Sequence, residues 1–117
     1  MTKQQKQWIK ELATTTKLQG GFQLRDKKAG KELFCVLGIA RELFGSWEDK
    51  SDHSATCLSD ELTKQLRLND PLGSFKEPYN LNGIRFHSLA MMNDKGFTFK
   101  ELAGYMQQHS ENVFNED

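Results

Sequence analysis

The chain has 117 residues, 37% of them hydrophobic and 27% charged, with 16 Lys and Arg against 16 Asp and Glu. That length supports one domain around one core, since chains of about 100–150 residues bury roughly two-thirds of the surface their unfolded state exposes. A net charge of zero argues against a general polyanion binder, whose affinity grows with the phosphates it neutralises, and against an acidic DNA mimic. The apolar and aromatic content is too high for a disordered chain.

In chain order, residues 2–16 read as a first helix. Trp8, Ile9 and Leu12 fall on one face, Thr2 is the N-cap, and Gly20-Gly21 is the stop. Residues 22–25 alternate apolar and polar and suit a short strand or an extended arm. Residues 26–30 are polar and read as a turn. Residues 33–44 carry the strongest core signal: Leu33, Phe34, Leu37, Ala40, Leu43 and Phe44 recur at spacings of three and four, which predicts a central helix. Gly38 costs that helix about 1 kcal/mol relative to Ala and points to close approach of another backbone; Gly45 is its C-cap.

Residues 46–56, with Trp47, read as a polar loop. Ser59 caps a third helix whose first turn holds Asp60 and Glu61, with Leu62 and Leu66 inward. Residues 72–83, directly after Pro71, hold Pro78 and two glycines and read as a long connection of the kind that forms binding loops. Ile84 and Phe86 alternate with Arg85 and His87, and Ser88 caps a short helix ending at Gly96. Thr98 and Glu101 form a capping box for a final helix over residues 99–109, with Phe97 and Leu102 as its hydrophobic staple. Residues 110–117 read as a frayed tail.

The tests for local chemistry are mostly negative. Cys35 and Cys57 read as free thiols, with Cys35 among large apolar neighbours as core packing. His53, Cys57, Cys35 and His87 lack zinc-ligand spacing, so no metal is expected. An EF-hand register on Gly96 would need Glu at position 102, which is Leu102. No nucleophile signature or phosphate-cradling glycine loop is present, so no catalytic residue and no cofactor is assigned, and an enzyme is disfavoured without being excluded. Residues 91–103 have the look of a helix-turn-helix, but its second helix carries Lys100, Glu101, Gln107 and Gln108 on its exposed side, where a row of phosphate-binding cations belongs.

Charge is uneven. Residues 1–41 hold nine Lys and Arg against three Asp and Glu, whereas residues 42–117 hold seven against thirteen. Arg25, Lys27, Lys28 and Lys31 cluster and form the candidate partner-binding surface, suited to an acidic partner or to nucleic acid.

Several stretches are familiar together. Trp8 in the first helix, Phe34-Cys35-Val36-Leu37-Gly38-Ile39 and Ser88-Leu89-Ala90-Met91-Met92-Asn93-Asp94-Lys95-Gly96-Phe97-Thr98-Phe99-Lys100-Glu101-Leu102-Ala103 resemble a family of small bacteriophage and prophage proteins. Its members share F-C-x-L-G-[VI] and S-L-A-x-x-N-D-x-G-x-[ST]-F-x-E-[IL]-A. The family often has a second cysteine just after the first, where this chain has Val36. The resemblance implies phage origin and, by class, an accessory protein that binds a host or defence protein.

The sequence thus predicts a mainly α single domain over residues 1–117. About four helices are expected with a minor β element, an α+β arrangement being the alternative. The leading function is non-enzymatic binding of a host or defence-system protein. The alternatives are a helix-turn-helix-like nucleic-acid regulator and a small-molecule or nucleotide binder. No signal-peptide run accompanies Lys3, Lys6, Lys10 and Lys17, and no stretch approaches the roughly 20 apolar residues of a membrane span. The expected setting is therefore the cytoplasm, that of the host if the protein is phage-encoded, without membrane contact. Oligomeric state is left open.

Overall fold

The structure is a computed structural model and describes residues 1–45 and 56–115. The elements in order are α1 (Lys3–Thr14), β1 (Leu18–Gln19), β2 (Arg25–Lys28), β3 (Lys31–Phe34), α2 (Val36–Phe44) and α3 (Asp60–Gln65), then β4 (Ser74–Leu81), β5 (Ile84–Ser88), α4 (Leu89–Asp94), α5 (Phe99–Gln108) and α6 (Ser110–Val113). Among the described residues five strands in two sheets, of three and two strands, stand beside these helices. The fold is α+β, which overturns the expectation of a mainly α domain.

The physical reason lies in two tight turns. Ala29 and Gly30 have φ of 53° and 77°, the pair of left-handed residues that a two-residue hairpin turn requires. They fold β2 antiparallel onto β3, with Lys28 opposite Lys31 and Arg25 opposite Phe34. The polar residues 26–28 are therefore strand, and Leu33 and Phe34 belong to β3 instead of the central helix, which begins at Val36. Short apolar runs at a strand–helix junction satisfy both periodicities, so spacing alone could not separate them.

Asn82 and Gly83, with φ of 51° and 82°, make the second turn. They pair β4 with β5, Leu81 facing Ile84 and Tyr79 facing Phe86. Residues 72–83 are thus mostly strand, not a loop. Pro78 hid it: the register shifts between Ser74 and Tyr79, and this proline sits in that bulge, where no ladder N–H is required.

The helix signals were more dependable. Thr2 and Gln5, and Thr98 and Glu101, form capping boxes for α1 and α5; Ser59 caps α3 and Ser88 caps α4. Trp8 is fully buried, donates its indole N–H to the Val36 carbonyl at 3.1 Å and meets Phe114 edge-on at 6.3 Å. Gly38 does bring a backbone close: a Cβ there would overlap the Leu24 carbonyl. Phe75 is buried against Tyr105.

Residues 110–115 are not a frayed tail. Val113 is 0% and Phe114 2% exposed, Phe114 bridges Leu68, and the Asn115 N–H donates to the Arg67 carbonyl at 2.7 Å. An eight-residue polar-looking end conceals two core side chains. The expected loop over residues 46–56, with Trp47 and His53, lies almost entirely outside the described residues.

Candidate interaction surfaces

The segment joining β1 to β2 is an arm fastened to the body by two adjacent side chains. Asn93, 5% exposed, accepts at Oδ1 from the Val36 N–H at 3.0 Å and from Gln19 Nε2 at 2.9 Å. Its Nδ2 donates to the Gly20 carbonyl at 2.7 Å. Gln19 extends the clamp, donating to the Phe97 carbonyl and accepting the Phe99 N–H at 2.9 Å. Two linked carboxamides, Asn93 and Gln19, therefore join β1, the start of α2, and the turn between α4 and α5. A buried amide with donor and acceptor both engaged is strongly position-specific, because losing either side leaves an unpaired polar group.

Asp94 fixes the next step, its Oδ1 accepting the Phe22 N–H at 2.8 Å. Phe22 is held at φ 67° with 73% of its surface exposed. Beside it, Phe22, Cys35, Thr56, Leu72, Ala90 and Asp94 line a cleft of about 220 Å³, and Leu72 is itself 42% exposed. The sequence reading did not single out Phe22. The alternation over residues 22–25 pairs Phe22 with Leu24, yet the structure buries Leu24 and leaves Phe22 exposed.

The four basic residues singled out from the sequence do not share one surface. Residues directly opposite across a sheet point to the same face, so Lys28 and Lys31 lie with Asp26, Leu33 and Leu18 on one face, and Arg25 and Lys27 with Glu32 and Phe34 on the other. Phe34 is 4% exposed and belongs to the core, whereas Leu18 is 46% exposed. The first face is therefore the outer one, apolar at Leu18 and Leu33 and basic at Lys28 and Lys31.

A second cleft, of about 420 Å³, has Tyr79, Tyr105 and His109 as an aromatic wall with Lys76, Glu77 and Glu111 at its rim. Tyr105 stacks on His109 at 4.6 Å and 30°, and Tyr79 tilts against Tyr105 at 4.8 Å. Burial raises the Tyr105 phenol above its ordinary value, although its hydrogen bond with Asn112 opposes this. No Ser, Thr or Cys lines this cleft. The α4–α5 pair is joined through Gly96 as the helix-turn-helix reading required, but α5 packs its buried side on α1 and its exposed residues include only one cation, Lys100.

Among the described residues, no group of three or more His, Cys, Asp or Glu is placed to hold a metal ion, and no helix is long and apolar enough to cross a membrane. His87 is an exposed β5 residue, and Cys35 and Cys57 are free thiols. No family model, curated protein or solved structure matches the chain.

Proposed function

We propose that this chain is a small, non-enzymatic accessory protein of phage type. In this reading it acts in the host cytoplasm by docking onto a protein of host or defence-system origin through Phe22 and the basic hairpin beside it. The observation that carries the reading is Phe22. An exposed Phe forgoes about 2–3 kcal/mol of burial, and a left-handed non-glycine backbone costs of order 1–3 kcal/mol. Glycine would remove both costs at this position. A side chain kept against two penalties, with its backbone pinned by Asp94, is well suited to insert into an apolar pocket of another protein.

The flanking charge favours an acidic rim around that pocket. The outer face of the β2–β3 hairpin carries Lys28 and Lys31 against Asp26, and complementary potentials speed association and select partners. The resemblance to phage proteins supports the origin of the partner, and α5, with its single exposed cation, disfavours the nucleic-acid regulator.

The test is capture from bacterial lysate with and without nuclease, comparing the wild-type chain with Phe22→Gly. Phe22→Gly relieves the backbone strain, so its thermal stability should stay within about 1 kcal/mol of wild type while capture of the partner drops at least tenfold. Equal recovery by both proteins overturns the reading. Recovery that vanishes with nuclease moves the function to nucleic-acid binding.

A further inference from the structure

The two sheets have four outer edges, and three of them are closed. β1 is only two residues long. On β2 the Lys27 N–H is taken by the Asp26 carboxylate at 2.7 Å. On β4, Pro78 has no N–H to offer, and Asn112 occupies Glu77 on both sides, its Oδ1 accepting the Glu77 N–H at 2.8 Å and its Nδ2 donating to the Glu77 carbonyl at 2.9 Å. Short length, proline, bulges and side chains that occupy the main chain are the usual means of protecting a strand edge.

β5 has none of them. The two-residue turn makes Leu81 and Ile84 the closing hydrogen-bonded pair, so Asn80 and Arg85 form the non-bonded pair and Tyr79 and Phe86 the next bonded one. The N–H and C=O of Arg85 therefore point away from β4, and the His87 N–H follows two residues on, whereas the Leu89 N–H bond to the Gly73 carbonyl, next to extended Ser88, leaves the His87 carbonyl on the β4 side. Among the described residues β5 packs mainly along β4 and α4, with Phe86 edge-on to Phe97, and Ile84, Arg85 and His87 are exposed. Ile84, 49% exposed, and Leu81, 37% exposed, continue the apolar face of Tyr79 and Phe86 past the body of the molecule.

We infer that the free edge of β5 is a strand-addition site for an extended segment of a partner protein, with acidic residues at alternate positions and aliphatic residues between them. Main-chain bonds to both groups of Arg85 and to the His87 N–H hold such a segment in register. Carboxylates on it fall beside the Arg85 and His87 side chains on one face, and its aliphatic residues fall beside Ile84 on the other. A second copy of β5 fits less well, because an antiparallel pairing sets Arg85 against His87 across the seam. This site is separate from Phe22 and stands or falls on its own.

The probe is the acetylated, amidated heptapeptide TVEVEVT, titrated into the full-length protein and followed by amide chemical shifts and hydrogen exchange. The Arg85 and His87 amides should shift and gain protection, TVKVKVT should bind about tenfold more weakly, and Arg85→Glu should reverse that preference. His87→Pro, which removes one edge N–H, should abolish binding with the thermal melt retained; if that variant does not fold, the Arg85→Glu reversal decides. The proposal is overturned by no response at millimolar peptide or by equal binding of the two peptides. It is also overturned by a wild-type dimer that His87→Pro dissociates, which would give the edge to a second copy.

Discussion

At the junction of β3 and α2, the Cys35 thiol sits 5% exposed and accepts the Gly38 N–H at 3.3 Å, capping the helix. Burial pushes the thiol from its ordinary 9.0 up to about 11, against the opposing pull of the Gly38 and Leu37 amides. Because the folded value lies above the unfolded one, the unfolded chain gives up this proton first. The stabilisation is complete below about pH 9 and is lost as pH rises through 11, a decline of roughly 2–3 kcal/mol. Cys35→Ser keeps a capping atom, so its stability at pH 7 should stay within about 1 kcal/mol of wild type. Urea unfolding at pH 8 and pH 11 should show a smaller alkaline loss in the variant; identical losses would remove Cys35 as the cause. Tyr105 is also raised and stays in both proteins, so the difference isolates the thiol. The sequence placed Cys35 in the core from its apolar neighbours, but its capping role depends on where β3 ends. Asn93 was likewise legible as part of a motif and not as a clamp, since its three partners come from Gln19, Gly20 and Val36.

Among the elements, the β4–β5 hairpin shows how a side chain completes a strand that its own ladder cannot. The bulge between Ser74 and Tyr79 leaves Glu77 without a strand partner, and the Asn112 carboxamide fills that place while also donating to the Tyr105 hydroxyl at 3.0 Å. Asn112→Ala leaves the Glu77 groups to water and unties α6 from β4. The expected cost is about 1–3 kcal/mol, with faster hydrogen exchange at Glu77 and unchanged exchange in α1. Exchange that speeds up uniformly would instead mark Asn112 as a general stability residue. Entry into β4 is fixed similarly by Asp70, whose Oδ1 accepts the Leu72 and Ser74 N–H groups at 3.0 Å. Burial raises that carboxyl, but the Ser74, Leu72 and Gly73 bonds outweigh it and hold it below its ordinary value. Helix caps were readable because they act within three or four residues. The bulge was not, because its partner lies 35 residues away.

For the molecule as a whole, the C-terminal segment closes the core. Phe114 meets Trp8, and Val113 and Phe114 are both buried. Deleting residues 110–117 should cost at least about 4 kcal/mol, a large part of the 5–15 kcal/mol typical of a small domain. Chemical denaturation of the truncated chain checks this, and a midpoint equal to wild type would restore the segment to a dispensable tail.

What the sequence by itself determined are the features set by local chemistry: the caps at Thr2, Ser59, Ser88 and Thr98, the core positions of Trp8, Leu37 and Leu102, and the need for a small residue at Gly38. Only the tertiary structure decided the fold class, the division of Arg25, Lys27, Lys28 and Lys31 between two faces, the exposure of Phe22 and the β5 edge that no described residue pairs. Capping and helical spacing act over one turn of chain. Sheet register, edge protection and burial depend on which distant backbone arrives alongside, and here two left-handed turns, at Ala29-Gly30 and Asn82-Gly83, decide it.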